Sequence, residues 1–415
     1  MKSCSSGLFI FATVIFLRCL RSTGAASCHP DDEAGLLAFN SGITRDPSGL
    51  LSSWKKGSDC CSWKGVTCIS DRVALLELDG RSDAGETFLS GTISPSLAKL
   101  QHLSEIYLNN LRKIKGSFPQ FLFQLPKLKY VSIQNNRLSG PLPTNIGLLS
   151  QLVHFDLQEN QFTGPIPITI SNLTRLTRLN LGSNRFSGTI PNIFKSVNKL
   201  QYLDLSGNGF SGKLPLSIAS LARTLWGLNV GQNNLSGMIP DYLSRFEGLS
   251  LLDLSKNRYS GVVPKSFANL TPQSFSQSSN WSIPYLGPKC GIKMSLDDWK
   301  PTALNFYDVI DLSENEISGS PAWFLNQTMF LLEFRASGNK LLFDMGKLTF
   351  AKRMTTLDLS RNLIFGTVPA TVAGLEKLNL SHNHLCGKLP ATKFPASAYA
   401  GNDCLCGSPL SPCKA

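Results

Sequence analysis

The stretch from Leu128 to Pro143 reads LKYVSIQNNRLSGPLP, and near-copies of it follow at a fixed interval. The first leucine of each copy recurs every 24 residues, with one step of 25, at Leu128, Leu152, Leu176, Leu200, Leu225 and Leu249. An asparagine keeps the same pace, at Asn136, Asn160, Asn184, Asn208, Asn233 and Asn257. A period of this length indicates a solenoid built from stacked coils. An ordinary Leu-rich core would not keep Asn, Gly and Pro in register over so many copies.

The first half of each copy has strand periodicity. In the Leu128 copy, alternation places Val131 and Ile133 inward and Ser132 and Gln134 toward solvent. A single coil of this kind buries very little apolar surface. Stacked coils share one continuous core, so several repeats are needed before any of them is stable.

The second half of each copy has turn chemistry. Asn136 carries amide donors and a carbonyl acceptor, so we expect it to satisfy buried backbone groups of the turn. Gly140 suits a turn that a Cβ would obstruct. Pro143 suits the start of a short helical segment.

The pattern LxxLxLxxNxLxGxIP resembles the leucine-rich repeat in its plant extracellular form. The resemblance implies an α/β solenoid, a right-handed superhelix with a parallel concave sheet. Counting the degenerate copies gives about eleven or twelve coils and a sheet about 50 Å long. The register is lost after Pro264 and returns at Tyr307, so residues 265–305 are either a looped-out island of the kind that forms ligand sites or one eroded coil plus a loop.

The ends of the chain differ in composition from the repeats. Residues 1–26 combine Lys2, the apolar run Leu8–Leu17 and a small-residue end, which predicts a secretory signal peptide too short to span a bilayer. The predicted organisation is a signal peptide (1–26), an N-terminal cysteine-rich cap (27–72), repeats (73–264), an irregular island or degenerate repeat (265–305), repeats (306–390) and a C-terminal cysteine-rich cap (391–415).

Cysteines concentrate in the two caps. They are Cys28, Cys60, Cys61 and Cys68 before the repeats and Cys386, Cys404, Cys406 and Cys413 after them. Four at each end suggest two disulfides per cap, which suits a secreted protein. Metal binding is the rival interpretation, but neither cluster offers histidines at zinc-finger spacing. Spacing alone leaves the connectivity open, and Cys290 is left over as a free, buried or intermolecular thiol.

Both caps resemble those of a plant family. The order DxxALLxF, LxxW and CCxWxGVxC in residues 31–68 resembles the N-terminal cap of plant secreted and receptor leucine-rich repeat proteins. Residues 394–413 resemble the C-terminal cap of polygalacturonase inhibitors and related secreted proteins. The resemblance implies disulfides between Cys28 and Cys60, Cys61 and Cys68, Cys386 and Cys404, and Cys406 and Cys413.

The concave strand face is the expected binding surface, because solenoids usually bind there. Its candidate ligand-binding residues are Asp156, Gln158, Asn180, Asp204, Trp226, Asn229, Asp253 and Lys256. The column of Asp and Asn among them continues at Asp311, Asp358 and Asn379. It either binds a glycan or basic protein or simply solvates the strands and pairs with its neighbours. Trp226 either anchors a sugar ring or protein partner or packs on Tyr202, one coil earlier.

Charge and modification signals point outside the cell. The precursor carries +12, and removal of the predicted signal peptide leaves 37 basic and 28 acidic residues, a net +9. Such a protein would be retained by anionic wall polymers such as pectin, and no nucleic-acid recognition motif is present. Sequons for N-glycosylation occur at Asn172, Asn234, Asn269, Asn280, Asn326 and Asn379.

Catalysis finds no support in the sequence, which lacks a phosphate loop, a kinase signature and a nucleophile elbow. We therefore expect no enzyme activity, no cofactor, no metal and no membrane span. The resemblance to polygalacturonase inhibitors implies extracellular protein binding, in cell-wall defence, as an inhibitor-like binder of pectin-degrading glycan hydrolases. The alternatives are a receptor-like module that binds a peptide or a receptor kinase ectodomain, and a structural wall protein.

Overall fold

The structure is a computed structural model of the chain. It describes residues 28–81, 89–262, 264, 266, 292–298, 309–327, 331–350 and 353–413. The predicted signal peptide, Cys290, Asn269 and Asn280 lie outside these residues. The described chain forms two compact units. The first holds residues 28–163 and 167–178, and the second holds residues 164–166 and 179 onward.

Two α-helices and a succession of short strands make up the described regular structure, joined by short 3-10 helices. The helices are α1 (Pro30–Ser41) and α2 (Ala322–Gln327). The strands up to the end of the first unit are β1 (Ile43–Arg45), β2 (Val66–Ile69), β3 (Arg72–Asp79), β4 (Ser90–Thr92), β5 (Glu105–Asn109), β6 (Lys113–Gly116), β7 (Tyr130–Ser132), β8 (Arg137–Pro141), β9 (His154–Asp156) and β10 (Gln161–Gly164).

The remaining strands are β11 (Arg178–Asn180), β12 (Arg185–Thr189), β13 (Tyr202–Asp204), β14 (Gly209–Gly212), β15 (Gly227–Asn229), β16 (Asn234–Gly237), β17 (Leu251–Asp253), β18 (Arg258–Tyr259), β19 (Gly261–Val262), β20 (Ile292–Ser295), β21 (Val309–Asp311), β22 (Glu316–Gly319), β23 (Glu333–Arg335), β24 (Lys340–Leu341), β25 (Thr356–Asp358), β26 (Phe365–Gly366), β27 (Lys377–Asn379), β28 (His384–Lys388) and β29 (Cys404–Cys406).

In the first unit, each coil contributes one strand to an inner sheet and one to an outer sheet. The inner strands β3, β5, β7 and β9 pair in parallel, and β2 closes their edge antiparallel to β3. The outer strands β4, β6, β8 and β10 also pair in parallel, with β1 antiparallel to β4. Both sheets therefore begin on a strand that belongs to the N-terminal cap.

The second unit repeats this arrangement. Its inner strands pair in parallel as β13, β15 and β17 and again as β21, β23, β25 and β27. Strand β20 lies within the predicted island 265–305, yet it pairs with β19 on one side and β22 on the other. Residues 292–295 thus occupy the place of an outer strand between β19 and β22.

The asparagines that recur in each repeat have the structural role that the sequence predicted. In the first unit, Asn160 Nδ2 donates to the carbonyl of Ile133 at 2.6 Å, and its Oδ1 accepts from Leu138 N–H at 3.0 Å. Asn402 in the C-terminal cap does the same for Leu380 and Leu385. The cap therefore continues the asparagine ladder, although its sequence lacks the repeat pattern.

The glycine and proline positions also behave as predicted. Gly140 has φ +84°, in the left-handed region that favours glycine. Pro167 and Pro215 occupy the N-cap positions of the 3-10 helices that follow them. These turns therefore use glycine where φ is positive and proline where a 3-10 helix begins.

Disulfides close both caps. They join Cys28 to Cys60, Cys61 to Cys68, Cys386 to Cys404 and Cys406 to Cys413, the pairing that the family resemblance implies. In the N-terminal cap, Trp54 stacks on Trp63 with ring centroids 5.5 Å apart. Asp32 of α1 is fully buried and pairs with Arg72 at the start of β3.

Across the described ranges, no helix has the length and apolar character that crossing a bilayer requires.

Candidate functional site

Inner strands such as β13 and β9 present two side chains to the concave side, one on either side of a buried residue. In β13 these are Tyr202 and Asp204, which flank the fully buried Leu203. In β9 of the first unit they are His154 and Asp156, which flank the fully buried Phe155. The second position of each pair forms the Asp and Asn column identified in the sequence.

The Asp and Asn column has a structural role in both units. Each side chain accepts a hydrogen bond from the backbone N–H two residues later, which stabilises the turn that ends the strand. These acceptors are Asp156, Asn180, Asp204, Asn229, Asp253, Asp311, Asp358 and Asn379. The expected exposure is wrong for Asn180 and Asp204, which are only 1% and 6% exposed, and for Ser132 at 8%. The turn bonds draw Asn180 and Asp204 back against the backbone, whereas Ser132 Oγ donates to Asn109 Oδ1 of the neighbouring coil at 2.9 Å.

Asp204 accepts four hydrogen bonds from side chains and backbone around it. Its Oδ2 accepts from the Tyr202 hydroxyl at 3.0 Å and from Asn229 Nδ2 at 3.1 Å. Its Oδ1 accepts from Ser206 N–H at 2.9 Å and Ser206 Oγ at 2.6 Å. Asp204 therefore fixes the side chains of two neighbouring strands rather than facing solvent.

Tyr202 and Trp226 form an aromatic pair on this face. Their ring centroids are 4.9 Å apart with planes tilted by 36°, and Trp226 remains 42% exposed. The strand partner of Tyr202 is Gly227, not Trp226. A Cβ at Gly227 would lie 2.6 Å from Tyr202 Cδ2, so the absent side chain provides the space in which the tyrosine ring lies. Trp226 packs on Tyr202, as one of the two interpretations predicted, and it remains partly exposed; its role as an anchor for a partner stays a prediction.

This geometry predicts that Gly227→Ala disorganises the aromatic pair. The new methyl group must push the Tyr202 ring away, which breaks its bond to Asp204 and costs about 1–3 kcal/mol of unfolding free energy. Chemical denaturation would measure the loss, and near-UV circular dichroism would report the changed environment of Trp226. Gly248→Ala is the matched control, since a Cβ at Gly248 meets no atom within 4 Å. Equal effects of the two variants would contradict the prediction.

Asp253 and Lys256 lie one coil beyond Trp226. Asp253 is half-buried, pairs in register with Asn229 and crowds Gly231, where a Cβ would lie 2.7 Å from the aspartate Oδ2. Lys256 is exposed and has φ +50° at the position that precedes the ladder asparagine. The coil beyond Trp226 thus adds a carboxylate at the end of β17 and an exposed cation at the turn that follows.

Of the predicted residues, Asp156 and Gln158 lie in the first unit and the other six lie in the second. Within the second unit, direct contacts join Asp204 to Asn229, while Tyr202 links Asp204 to Trp226. Gln158 is half-buried and donates to Glu159 at 3.1 Å.

The first unit presents aromatic side chains that the sequence analysis missed. Tyr130 and His154 occupy equivalent positions on β7 and β9, and their rings meet edge to face at 5.6 Å. Tyr107 donates to Glu105 at 3.0 Å, and burial together with Glu105 raises the pKa of Tyr107. Burial, reinforced by Arg178, lowers the pKa of His154 to about 4. The signal was available, because all these residues occupy concave strand positions in the repeat register.

Charged pairs lie on strand β23 and at the turns that follow β21 and β25 in the second unit. Arg361 pairs with Glu314 across Gly338, where a Cβ would lie 2.7 Å from Glu314 Oε1. Arg335 pairs with Glu333 on β23. These pairs give this part of the face both signs of charge.

The clustered cysteines of the N-terminal cap are not available as metal ligands. The sulfurs of Cys28, Cys60 and Cys61 lie within 4.8 Å of one another. All three are engaged in disulfides, with Cys61 bonded to Cys68, so they offer no thiolate.

Family comparisons match several segments of the chain. The leucine-rich repeat N-terminal domain matches residues 29–69. Leucine-rich repeat families match residues 150–210 and residues 127–149, 248–270 and 374–392.

Curated relatives match over shorter segments. Polygalacturonase inhibitor 2 from Arabidopsis thaliana is 35% identical over 113 residues, which are 25% of this chain and 34% of the relative. Phytosulfokine receptor 1 from Arabidopsis thaliana is 35% identical over 144 residues, which are 34% of this chain and 13% of the receptor. The chain thus spans about a third or less of the length of these relatives.

Among solved structures, the chain is similar to the plant peptide hormone receptor RGFR1 in its complex with RGF2. The TM-score is 0.59 and the sequence identity is 26%. The match covers 80% of this chain and 59% of the receptor chain.

Proposed function

Because this chain is an extracellular leucine-rich repeat protein of the plant type, we propose that it binds a partner protein through the concave face of its second unit. The observation that carries this proposal is Trp226, an exposed aromatic side chain held in place by Tyr202. Large aromatic residues dominate the energetics of protein interfaces. A rim of Asp253 and Lys256 supplies polar contacts around that anchor.

The partner that fits best is a pectin-degrading glycan hydrolase, so the chain would act in cell-wall defence as an inhibitor-like binder. Relatives named as polygalacturonase inhibitors support this choice. A net charge of +9 on the predicted mature chain would keep the protein on anionic wall polymers, where such enzymes act. The protein would act by binding, without catalysis of its own.

A second candidate is a receptor-like module that binds a peptide or a receptor kinase ectodomain. The likeness to a peptide hormone receptor that was solved with its ligand favours it. The charged pairs Arg361 with Glu314 and Arg335 with Glu333 would then select the partner by charge complementarity. A structural wall protein, the third possibility, would need no discrete partner.

The proposal predicts that Trp226→Ala weakens partner binding by about thirtyfold, as expected when an interface anchor worth about 2 kcal/mol is removed. Inhibition of a panel of fungal polygalacturonases, followed by calorimetry with the enzyme that responds, would measure the change. Leu216→Ala is the matched control, because Leu216 is another exposed apolar side chain of the second unit, 73% exposed on a 3-10 helix.

The panel also separates the candidates. No inhibition of any enzyme would overturn the inhibitor proposal, whereas capture of a receptor ectodomain that depends on Trp226 would favour the receptor-like module. Asp204→Ala is a poor probe of binding, because Asp204 is buried and holds both Tyr202 and Asn229. Retention on pectate beads that fades with added salt would support wall association.

A further inference from the structure

An apolar patch lies on the outer strands of the second unit, on residues that the candidate site does not use. Its members are Leu342, Leu363 and Phe365, which are 59%, 42% and 45% exposed. Phe343 and Ile364, which follow the two leucines in the chain, are buried, so the three exposed side chains point away from the core. Large apolar side chains that cluster on a surface mark interaction sites.

The repeat carries small or polar residues at these positions in the earlier coils of the second unit. The third residue after the ladder asparagine is Leu342 and then Phe365 in two successive coils, whereas five earlier coils have serine there: Ser187, Ser211, Ser236, Ser260 and Ser318. The first residue after the asparagine is Leu363 in one coil and polar or glycine in those before it. The coil stack itself therefore does not require apolar side chains at these positions.

The patch is continuous, because its members lie on adjacent strands. The backbone N–H groups of Leu363 and Phe365 donate to carbonyls of the segment 341–343 in the coil before, at 3.0 and 3.1 Å. On its other side, β26 pairs in parallel with β28. The backbone here already has neighbours on both sides, so a partner must contact the side chains and cannot add to the sheet as a strand.

Opposite charges flank the patch. On one side, Lys293 and Lys340 both pair with the single carboxylate of Glu316, at 3.7 and 2.8 Å, so this group carries one positive charge in excess. On the other side, Asp403 is 58% exposed, and its carboxylate lies 3.1 Å from the imidazole of His384. A neutral imidazole leaves the negative charge of Asp403 uncompensated. A surface with this arrangement is complementary to itself under a twofold rotation.

We propose that this patch is a dimer interface, in which a second copy of the chain packs Leu342, Leu363 and Phe365 against the same three side chains. A twofold axis parallel to the strands places the Lys340 side of each copy opposite the Asp403 side of the other. Three exposed side chains make a small contact, so the dimer is a weak one that forms at high local concentration. The contact uses outer strands only, and the dimer would present two concave faces to a partner.

The test is sedimentation velocity of the oxidised full chain over a concentration series, which should show a monomer–dimer equilibrium. Leu363→Ser/Phe365→Ser should raise the dimer Kd by about thirtyfold, because two apolar side chains lose their buried contacts. Leu216→Ser/Met238→Ser is the matched control and should leave the Kd unchanged, since these side chains of the same unit are 73% and 70% exposed outside the patch. Equal thermal unfolding of the two double variants would separate lost association from lost folding.

A charge exchange tests how the two copies are arranged. Lys340→Glu and Asp403→Lys should each weaken the dimer, and the combined variant should recover its affinity, because opposite charges again face each other across the interface. A monomer at every concentration would overturn the proposal, as would a dimer that survives Leu363→Ser/Phe365→Ser or a combined variant that recovers nothing. Trp226→Ala should leave the dimer intact, so the dimer and the proposed binding of a partner can fail independently.

Discussion

Asp32→Ala is expected to lower the free energy of unfolding of the first unit by about 3–5 kcal/mol. The side chain of Asp32 is fully buried, and it accepts from Arg72 and, at 2.8 Å, from the backbone N–H of Val73. Its removal leaves a largely buried guanidinium and a buried N–H group without their partner. Breaking one side of a buried ion pair costs far more than the pair contributes when it is intact.

Urea denaturation of the oxidised protein, followed by tryptophan fluorescence, would measure this effect, since Trp54 and Trp63 lie in the same cap. Asp31→Ala is the matched control, because Asp31 belongs to the same helical turn but its side chain is 70% exposed. We expect it to cost no more than about 1 kcal/mol, the value of an acidic residue near a helix N-terminus. Similar losses in both variants would show that the helix terminus, and not the ion pair, sets the stability.

Asn362→Ala is expected to cost about 3–4 kcal/mol in the second unit. Asn362 is 6% exposed. Its Nδ2 donates to the carbonyls of Ala336, Leu359 and Ser360 at 2.9–3.1 Å, and its Oδ1 accepts from Leu341 N–H at 3.0 Å. Alanine would leave several buried backbone groups unpaired, and each such group costs about 1–3 kcal/mol.

Asn362→Asp should be at least as damaging, because a carboxylate would face three carbonyl oxygens that it cannot bind. Asn198→Ala is the control, since Asn198 is exposed in the same unit and should change stability by no more than about 0.5 kcal/mol. Denaturant midpoints, together with hydrogen exchange of Leu341 N–H, would measure the effects. A stable Asn362→Ala variant in which that N–H stays protected would contradict the role assigned to the ladder.

The repeat pattern predicted most of the fold because each residue type in it satisfies a local structural requirement. The repeat period predicted the stacked coils. The recurring asparagines predicted the backbone hydrogen bonds of the turns, and glycines such as Gly140 predicted the left-handed turn positions. Cap boundaries followed from cysteine position. Strand β20 within residues 265–305 could not be predicted from pattern, because the motif has eroded there while the pairing persists.

The candidate site was predicted less completely, because exposure depends on contacts between coils. The strand register identified Asp204 and Trp226 as concave residues but could not show that Asp204 is drawn inward by four hydrogen bonds. It offered packing of Trp226 on Tyr202 as one alternative, but it could not show that the Tyr202 ring lies over Gly227. Tyr130 and His154 were missed because the predicted column contains the second concave position of each strand, whereas these two residues occupy the first.

The sequence by itself determined that this is a capped leucine-rich repeat protein, because a period of about 24 residues can bury its apolar side chains only by stacking coils. Only the tertiary structure decided which polar residues remain available to a partner. Hydrogen bonds within and between neighbouring coils bury Asp204, whereas Trp226 and Lys129 remain exposed.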